Sequence, residues 1–493
     1  LSIEWTPFPN PKKEKTMKIK IFTYIGIVSL SLMYTACTVP STLVPRKENN
    51  AVPASYKNSL DSLNTAKIKW KDFFTDPNLN SLIDTALRNN QELNIILQDI
   101  NMAQNEVRAR KGAYLPFVNA GLGAGVEKTP RFTRSGAVDA NTEIAPGKEF
   151  PDPLPDYLIA ANVSWEVDIW KKLRNAKKSA VYSYLSTTAG KNFMVTHLIA
   201  EIANSYYELM ALDNQLVILR RNIEIQQNAL AIVKLEKQAA RVTELAVRRF
   251  EAEVLKNQSR QYYISQQIIE MENRINFLVG RFPRPILRNS QTFVDLVPDS
   301  IHAGIPSQLL QNRPDIKQAE LDLMAAKLDV KVAKAYFYPT LNISGAIGFE
   351  AFNPTYLVSK PESMLFSLGG SLFGPLINRN AIKATYYSAN SKQIQAVYNY
   401  ERTILTAYIE VANQLSNINN LKSSYDLRAQ QVQALTESID ISIRLFKSAR
   451  ADYMEVLLTQ RDALESRFEL IETKKQQMNA MVNIYQALGG GWN

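Results

Sequence analysis

Cysteine and histidine are scarce in this sequence, and over long stretches so are proline and glycine. Of 493 residues one is cysteine, Cys37, and two are histidines, His197 and His302. That supply excludes a disulfide framework or a Cys/His metal site within one chain, and several enzyme classes with them. No nucleophile and base stand near His197, so both histidines are read as structural. A Walker-type loop is missing, as is any basic tract interleaved with aromatics, so neither nucleotide-driven work nor nucleic-acid binding is expected. The formal net charge is +10, with lysine and arginine dispersed among glutamate, glutamine and asparagine. This excess reads as solvated helix faces rather than a binding patch, and Glu251 and Glu253 likewise as a solvated face rather than a catalytic pair.

Proline is absent between Pro155 and Pro283, where Gly190 is the only glycine before Gly280; it is absent again after Pro375, and glycine is absent between Gly374 and Gly489. These stretches are rich in Ala, Leu, Ile, Gln, Glu, Lys and Arg, which predicts very long helices. Leu212, Leu216, Leu219, Ile223 and Leu230 fall on one helical stripe, as do Ile404, Tyr408, Val411 and Leu415, the pattern of coiled-coil seams. The apolar register breaks around Gln238 to Thr243 and around Ser448 to Tyr453, which predicts hairpin turns. A helix of about 65 residues is roughly 100 Å long, out of scale for a globular domain but suited to crossing a periplasm.

The amino-terminal region reads as an address. From Met17 a short basic start (Lys18, Lys20) leads into an apolar run too short for a stable membrane span, then Tyr34, Thr35 and Ala36 before Cys37. Residues 17–36 are read as a lipoprotein signal peptide and Cys37 as the acylated (palmitate-bearing) first mature residue, the alternative being a plain signal peptide with an incidental cysteine. Residues 1–16 read as an upstream extension. Apart from that lipid no cofactor is expected.

The chain also repeats itself. Asn89 to Gly123 and Asn312 to Ala346 share one order: helix, then Pro116 or Pro339, then an alternating segment. Four segments, roughly 117–127, 158–170, 340–350 and 364–376, alternate as transmembrane strands do, with polar loops 128–157 and 351–363 between the members of each pair. Four strands cannot close a barrel alone, and an open edge in lipid leaves backbone groups unpaired, so closure must come from other copies. Two copies would give a filled lumen and three, with twelve strands, an open pore.

Five segments in order resemble the TolC-like outer-membrane efflux proteins, nearest to their lipoprotein branch: WKDFFTDPNL from Trp70, LIDTALRNNQEL, SWEVDIWKKLRNA from Ser164, IPSQLLQNRPDIKQAE from Ile305 and NIYQALGGGW near the carboxyl end. The resemblance implies a mainly α fold with transmembrane β: a homotrimer with a twelve-stranded outer-membrane barrel and a periplasmic α-barrel built from internally duplicated helical hairpins. It implies an entry segment in 37–78 and repeats in 79–290 and 291–493. It further implies a passive, non-enzymatic exit duct served by a periplasmic adaptor and an inner-membrane resistance-nodulation-division pump. The hairpin tips Ala240, Arg241, Val242 and Thr243, and Ala449, Arg450, Ala451, Asp452 and Tyr453, would meet the adaptor. Where relatives often carry Leu-Asp-Ala-Gln-Arg, this chain reads Leu457, Leu458, Thr459, Gln460, Arg461. An acidic entrance ring is therefore not expected at that position; closure would rest on apolar contacts from Met454 or Leu458 with Arg461 nearby, while Asp462 could take over the charge one residue later, rotated by about 100°. The competing reading is a non-conducting coiled-coil scaffold lipoprotein, which leaves the paired alternating segments without a role.

Overall fold

The structure, a computed structural model, describes residues 39–41, 47–56, 63–297, 302–448 and 450–492. Cys37, Ala449 and the whole signal segment lie outside the described residues. The main elements are α1 (Pro77–Asn89), α2 (Gln91–Ala113), β1 (Phe117–Glu127), β2 (Leu154–Val167), α3 (Lys172–Gln238), α4 (Glu244–Leu278), α5 (Pro314–Ala335), β3 (Thr340–Ala351), β4 (Met364–Phe373), α6 (Asn380–Lys447) and α7 (Tyr453–Ala487). At 67 and 68 residues, α3 and α6 have the length that missing proline and glycine predict. Both turns fall where the apolar register breaks.

The chain forms two compact units. One holds residues 103–184 and 322–397, the other 48–102, 185–321 and 398–493, so each draws on both halves of the sequence.

In the first unit the strands form one antiparallel sheet in the order β1-β2-β3-β4. Two strands, β2 and β4, depart from their expected limits. β2 starts at Leu154 and stops at Val167 rather than running from 158 to 170. It stops because the buried Asp168 turns back to cap α3, accepting the N–H groups of Leu173 and Arg174 at 2.9 Å each. Burial pushes the Asp168 carboxyl up, but those two N–H groups and the Arg174 guanidinium outweigh it and hold it below the usual range. Pro155 pairs with Val126 of β1 but lies beyond the β2–β3 ladder, which ends at Tyr157 opposite Ala351, so β2 is an edge on that side there, the setting in which strands tolerate proline. β4 ends at Phe373 rather than 376, just before Gly374 and Pro375.

The second unit carries the main apolar core. Ile202, Tyr206, Leu209 and Met210 of α3 pack with Leu79 and Ile83 of α1 and Met478, Val482 and Tyr485 of α7. Each such side chain contributes about 1.5–3 kcal/mol by leaving water. The WKDFFTDPNL segment is built into this core: Asp76 caps α1 through the N–H groups of Asn78 and Leu79 and accepts the Tyr206 hydroxyl at 2.8 Å, while Phe73 stacks on Tyr485 at 4.0 Å. Along α3 the buried positions Leu212, Leu219, Gln226 and Val233 recur every seven residues, a true coiled-coil seam.

One corner of this unit occurs twice. Gly280, after α4, takes φ +73° and packs so closely that a Cβ would stand 2.4 Å from the Asn89 carbonyl oxygen. Gly489, after α7, takes φ +88°, and a Cβ there would stand 2.6 Å from the Asn312 oxygen. Asn90 donates to the Leu278 carbonyl at 2.9 Å, and Arg313, in the matching place, donates to the Ala487 carbonyl at 2.8 Å.

Candidate conduit, entrance and tips

The register assigns every strand residue to one of two faces, because directly paired residues share a face. Val118 pairs with Val163 and Leu122 with Ile159; Ile159 pairs with Phe349 and Ala161 with Ile347; Ile347 pairs with Phe366 and Gly345 with Leu368. That face is apolar across all four strands and open to its surroundings, with Leu122 82 % and Leu368 84 % exposed. The other face carries Asn119, Asp156, Asn162, Ser164, Glu166, Asn342, Ser344, Glu350, Ser367 and Ser371 among small residues, with Leu158 and Leu365 between them and Phe117, Leu154 and Phe373 at the strand ends. A sheet apolar on one side and polar on the other, with the outer edges of β1 and β4 unpaired among the described residues, fits a wall between hydrocarbon and water that awaits closure. Among the described residues no helix is long and apolar enough to cross a membrane.

The second unit holds the candidate tip and entrance residues. α3 and α6 end in the same six-to-one closure: the Arg241 N–H donates to the Glu236 carbonyl and the Arg450 N–H to the Leu445 carbonyl, both at 2.9 Å. Ala240 sits at φ +58°, where glycine is the usual residue. Arg241, Thr243, Arg450 and Asp452 are exposed, and Val242 and Ala451 half-buried. The two tips meet through an apolar cluster of Val233, Val247, Phe250 and Leu457, onto which Val242, Tyr453 and Met454 pack. Beside Arg241 and Thr243, Glu244 pairs with Lys237 and, at 2.8 Å, with Arg248; the Lys237 hydrogen bond is the main cause holding its carboxyl below the usual range.

The four entrance candidates separate. Met454 is held against the first hairpin, its Sδ accepting from Arg249 Nη1 at 3.1 Å. Leu458, 38 % exposed, lies on the open surface of α7 with Arg461 and Asp462, and those two are ion-paired at 3.0 Å. Asp462 is thus answered by its own neighbour. His197 is half-exposed, 3.8 Å from Glu201. Among the described residues no group of three or more His, Cys, Asp or Glu side chains could hold a metal ion.

Two features have no counterpart in the sequence reading. Arg313 is 6 % exposed and joins Asp315 at 2.6 Å, Glu410 at 2.7 Å and the Ala487 carbonyl, while Trp492 donates to the Asn312 carbonyl at 3.1 Å. The two most specific sequence signatures are therefore halves of one contact. The other is a polar layer in the apolar seam: Gln226 of α3, Asn257 of α4 and Gln460 of α7 are all buried, with Asn257 donating to Gln226 at 2.9 Å. Its signal was a polar residue on a heptad position, Gln226 between Leu219 and Val233.

Comparison with known proteins places this geometry. The family model described as outer membrane efflux protein matches residues 82–281 and 305–490. The pyoverdine export outer membrane protein OpmQ of Pseudomonas aeruginosa is 27 % identical over 470 residues, covering 95 % of this chain and 97 % of the relative. The cation efflux system protein CusC of Escherichia coli is 25 % identical over 473 residues, covering 94 % and 97 %. Among solved structures, a membrane protein from Pseudomonas aeruginosa superposes with a TM-score of 0.81 at 23 % identity, covering 91 % of this chain and all of that one. The open-state MtrE channel of Neisseria gonorrhoeae gives 0.79 at 21 %, covering 92 % and 99 %.

Proposed function

Since the chain belongs to the outer membrane efflux protein family, whose members are outer-membrane channels rather than enzymes, we propose that it works as a homotrimeric exit duct of a tripartite efflux system. Three copies of the four-stranded sheet close a twelve-stranded barrel, apolar side to lipid and polar side to a water-filled lumen. The observation that carries this is the pair of open edges on a two-faced sheet, which a lone copy cannot place in hydrocarbon without orphaning backbone groups. A non-conducting scaffold gives those edges no partner.

The duct does no chemistry and binds no nucleotide; a proton-driven inner-membrane pump of the resistance-nodulation-division type supplies the work through a periplasmic adaptor. Arg241, Val242, Thr243, Arg450, Ala451 and Asp452 are the surfaces that adaptor touches. Leu458, Arg461 and Asp462 border the periplasmic entrance, and Met454 fastens the second hairpin to the first, so that parting the tips means breaking the contacts of Met454 with Arg249 and of Tyr453 with Phe250. Acyl chains on Cys37 tie the trimer to the outer membrane. The relatives named for pyoverdine export and for cation efflux differ in cargo, and a lumen of small polar residues fits a duct whose pump does the selecting.

The test is the native mass of protein extracted from outer membranes in mild detergent, followed by conductance in planar bilayers. A mass of three chains, with conductance raised when Arg450 or Asp452 is replaced, is the expected result. A monomer, or a trimer silent even with both replaced, overturns the duct.

A further inference from the structure

The sheet of the first unit continues onto its four helices with its two sides kept distinct. On the polar side, Glu166 holds Lys172 at 2.5 Å, and the Lys172 ammonium lies 5.3 Å over the Tyr336 ring. Tyr336 lines a concave surface of about 740 Å³ together with Glu106, Arg110, Asp329 and Lys392. On the apolar side, Trp165 donates its indole N–H to the Tyr114 carbonyl at 3.1 Å, and the Arg174 guanidinium lies over the Tyr114 ring at 6.0 Å. The concave helix surface therefore extends the polar sheet face, and the opposite helix surface extends the lipid-facing one.

That opposite surface is basic on every helix. At 100° per residue, Arg108 and Lys111 of α2, Lys178 of α3, Lys331 and Lys334 of α5 and Lys383 of α6 stand roughly 100–170° around their helices from the residues lining the concave side. All six are exposed. Each lies within roughly 10 Å of the end of its helix that adjoins the sheet, at 1.5 Å per residue. Carboxylates are kept away: α3 has none up to Tyr184 and α6 none up to Val397, and in the adjoining parts of α2 and α5 Glu106 and Asp329 line the concave side. Asp168 is taken up by Arg174 at 3.1 Å.

The dipoles of α2 and α5 favour the cations at their carboxyl ends, but helix stability does not account for Lys178 and Lys383. α3 and α6 begin at the sheet with no acidic residue in their first turns. There the helix dipole favours anions, so cations work against it. The arrangement suits an external anion. We propose that this collar, just outside the hydrocarbon-facing strands, binds the phosphodiester headgroups of anionic phospholipids in the adjoining membrane leaflet. The inference rests on the membrane-spanning reading of the sheet. The collar sits at the depth where headgroups begin, and basic side chains there draw anionic lipid at roughly fivefold each in partitioning.

The assay is native mass spectrometry of the purified, full-chain oligomer offered phosphatidylglycerol or phosphatidylcholine in equal amounts. The expected result is a roughly tenfold preference for phosphatidylglycerol that falls as salt is raised. K178Q/K331Q/K334Q/K383Q should bring it close to parity, while R110Q/K392Q, on the concave side, keeps it. Parity in the unsubstituted protein, no salt dependence, or an equal loss in R110Q/K392Q overturns the collar; should the quadruple variant not assemble, the salt titration decides alone. Poly-glutamate binding with the same lysine dependence and displacing the lipid would assign the surface to an acidic protein instead. Insertion into pure phosphatidylcholine vesicles separates the two readings: a chain that inserts without lipid preference loses the collar alone, and one that does not insert loses the sheet reading too.

Discussion

The corner that occurs twice in the helical unit is solved twice with different chemistry. After α4 the close approach of Gly280 to Asn89 is fixed by a neutral amide: Asn90 donates to Leu278 and accepts from the Leu93 N–H at 2.9 Å, so one side chain caps a helix end on each side. After α7 the same approach is fixed by a buried cation, Arg313, which needs Asp315 and Glu410 to be tolerable there. The backbone geometry is the constant, and the side chain holding it is free to change. A charged bolt binds more elements, α5, α6 and the end of α7 at once, but it leaves the fold exposed to loss of any one partner.

The sharpest way to break this comparison is Arg313→Ala, which strands Asp315 and Glu410. Urea unfolding at fixed protein concentration should show a loss of about 3 kcal/mol, the low end for a broken buried pair because Glu410 is half-exposed; a loss under 1 kcal/mol would mean the ions were already solvated. Next come Gly280→Ala and Gly489→Ala, each adding a Cβ in the left-handed region against a backbone carbonyl. About 2 kcal/mol apiece is expected, and nearly equal values would establish that the two corners share their geometry. Asn90→Ala should cost about 1 kcal/mol, the value of a cap, so that the ratio of its effect to that of Arg313→Ala measures what charge adds. Smallest of all, Ala240→Gly relieves the positive φ at the first tip and should raise thermal stability by about 0.5–1 kcal/mol in calorimetry, with no change at the second tip.

Much of this was written in local pattern. The hairpin turns at 238–243 and 448–453 could be read because a coiled-coil register either continues or does not, and strand faces because β alternation needs no partner to be seen. The start of β2 was hidden by Pro151, Pro153 and Pro155, which look like loop until the pairing of Leu154 and Pro155 with β1 is known. Arg313 could be recognised as part of a signature but not as a bolt, since beyond Asp315 its partners lie 97 and 174 residues away. The basic collar escaped for a similar reason: six side chains on four helices, scattered from Arg108 to Lys383, register in the sequence only as a diffuse positive excess.

The outer edges of β1 and β4, unpaired among the described residues, bear on inheritance as well as on architecture. In the proposed closed ring of three, each copy offers one edge to its neighbour and takes the other, so one copy with a spoiled edge spoils the ring it joins. In a cell making sound and damaged chains in equal amounts, only about one ring in eight would be wholly sound. Edge mutations should therefore be dominant, while losses confined to a tip should be diluted by sound neighbours.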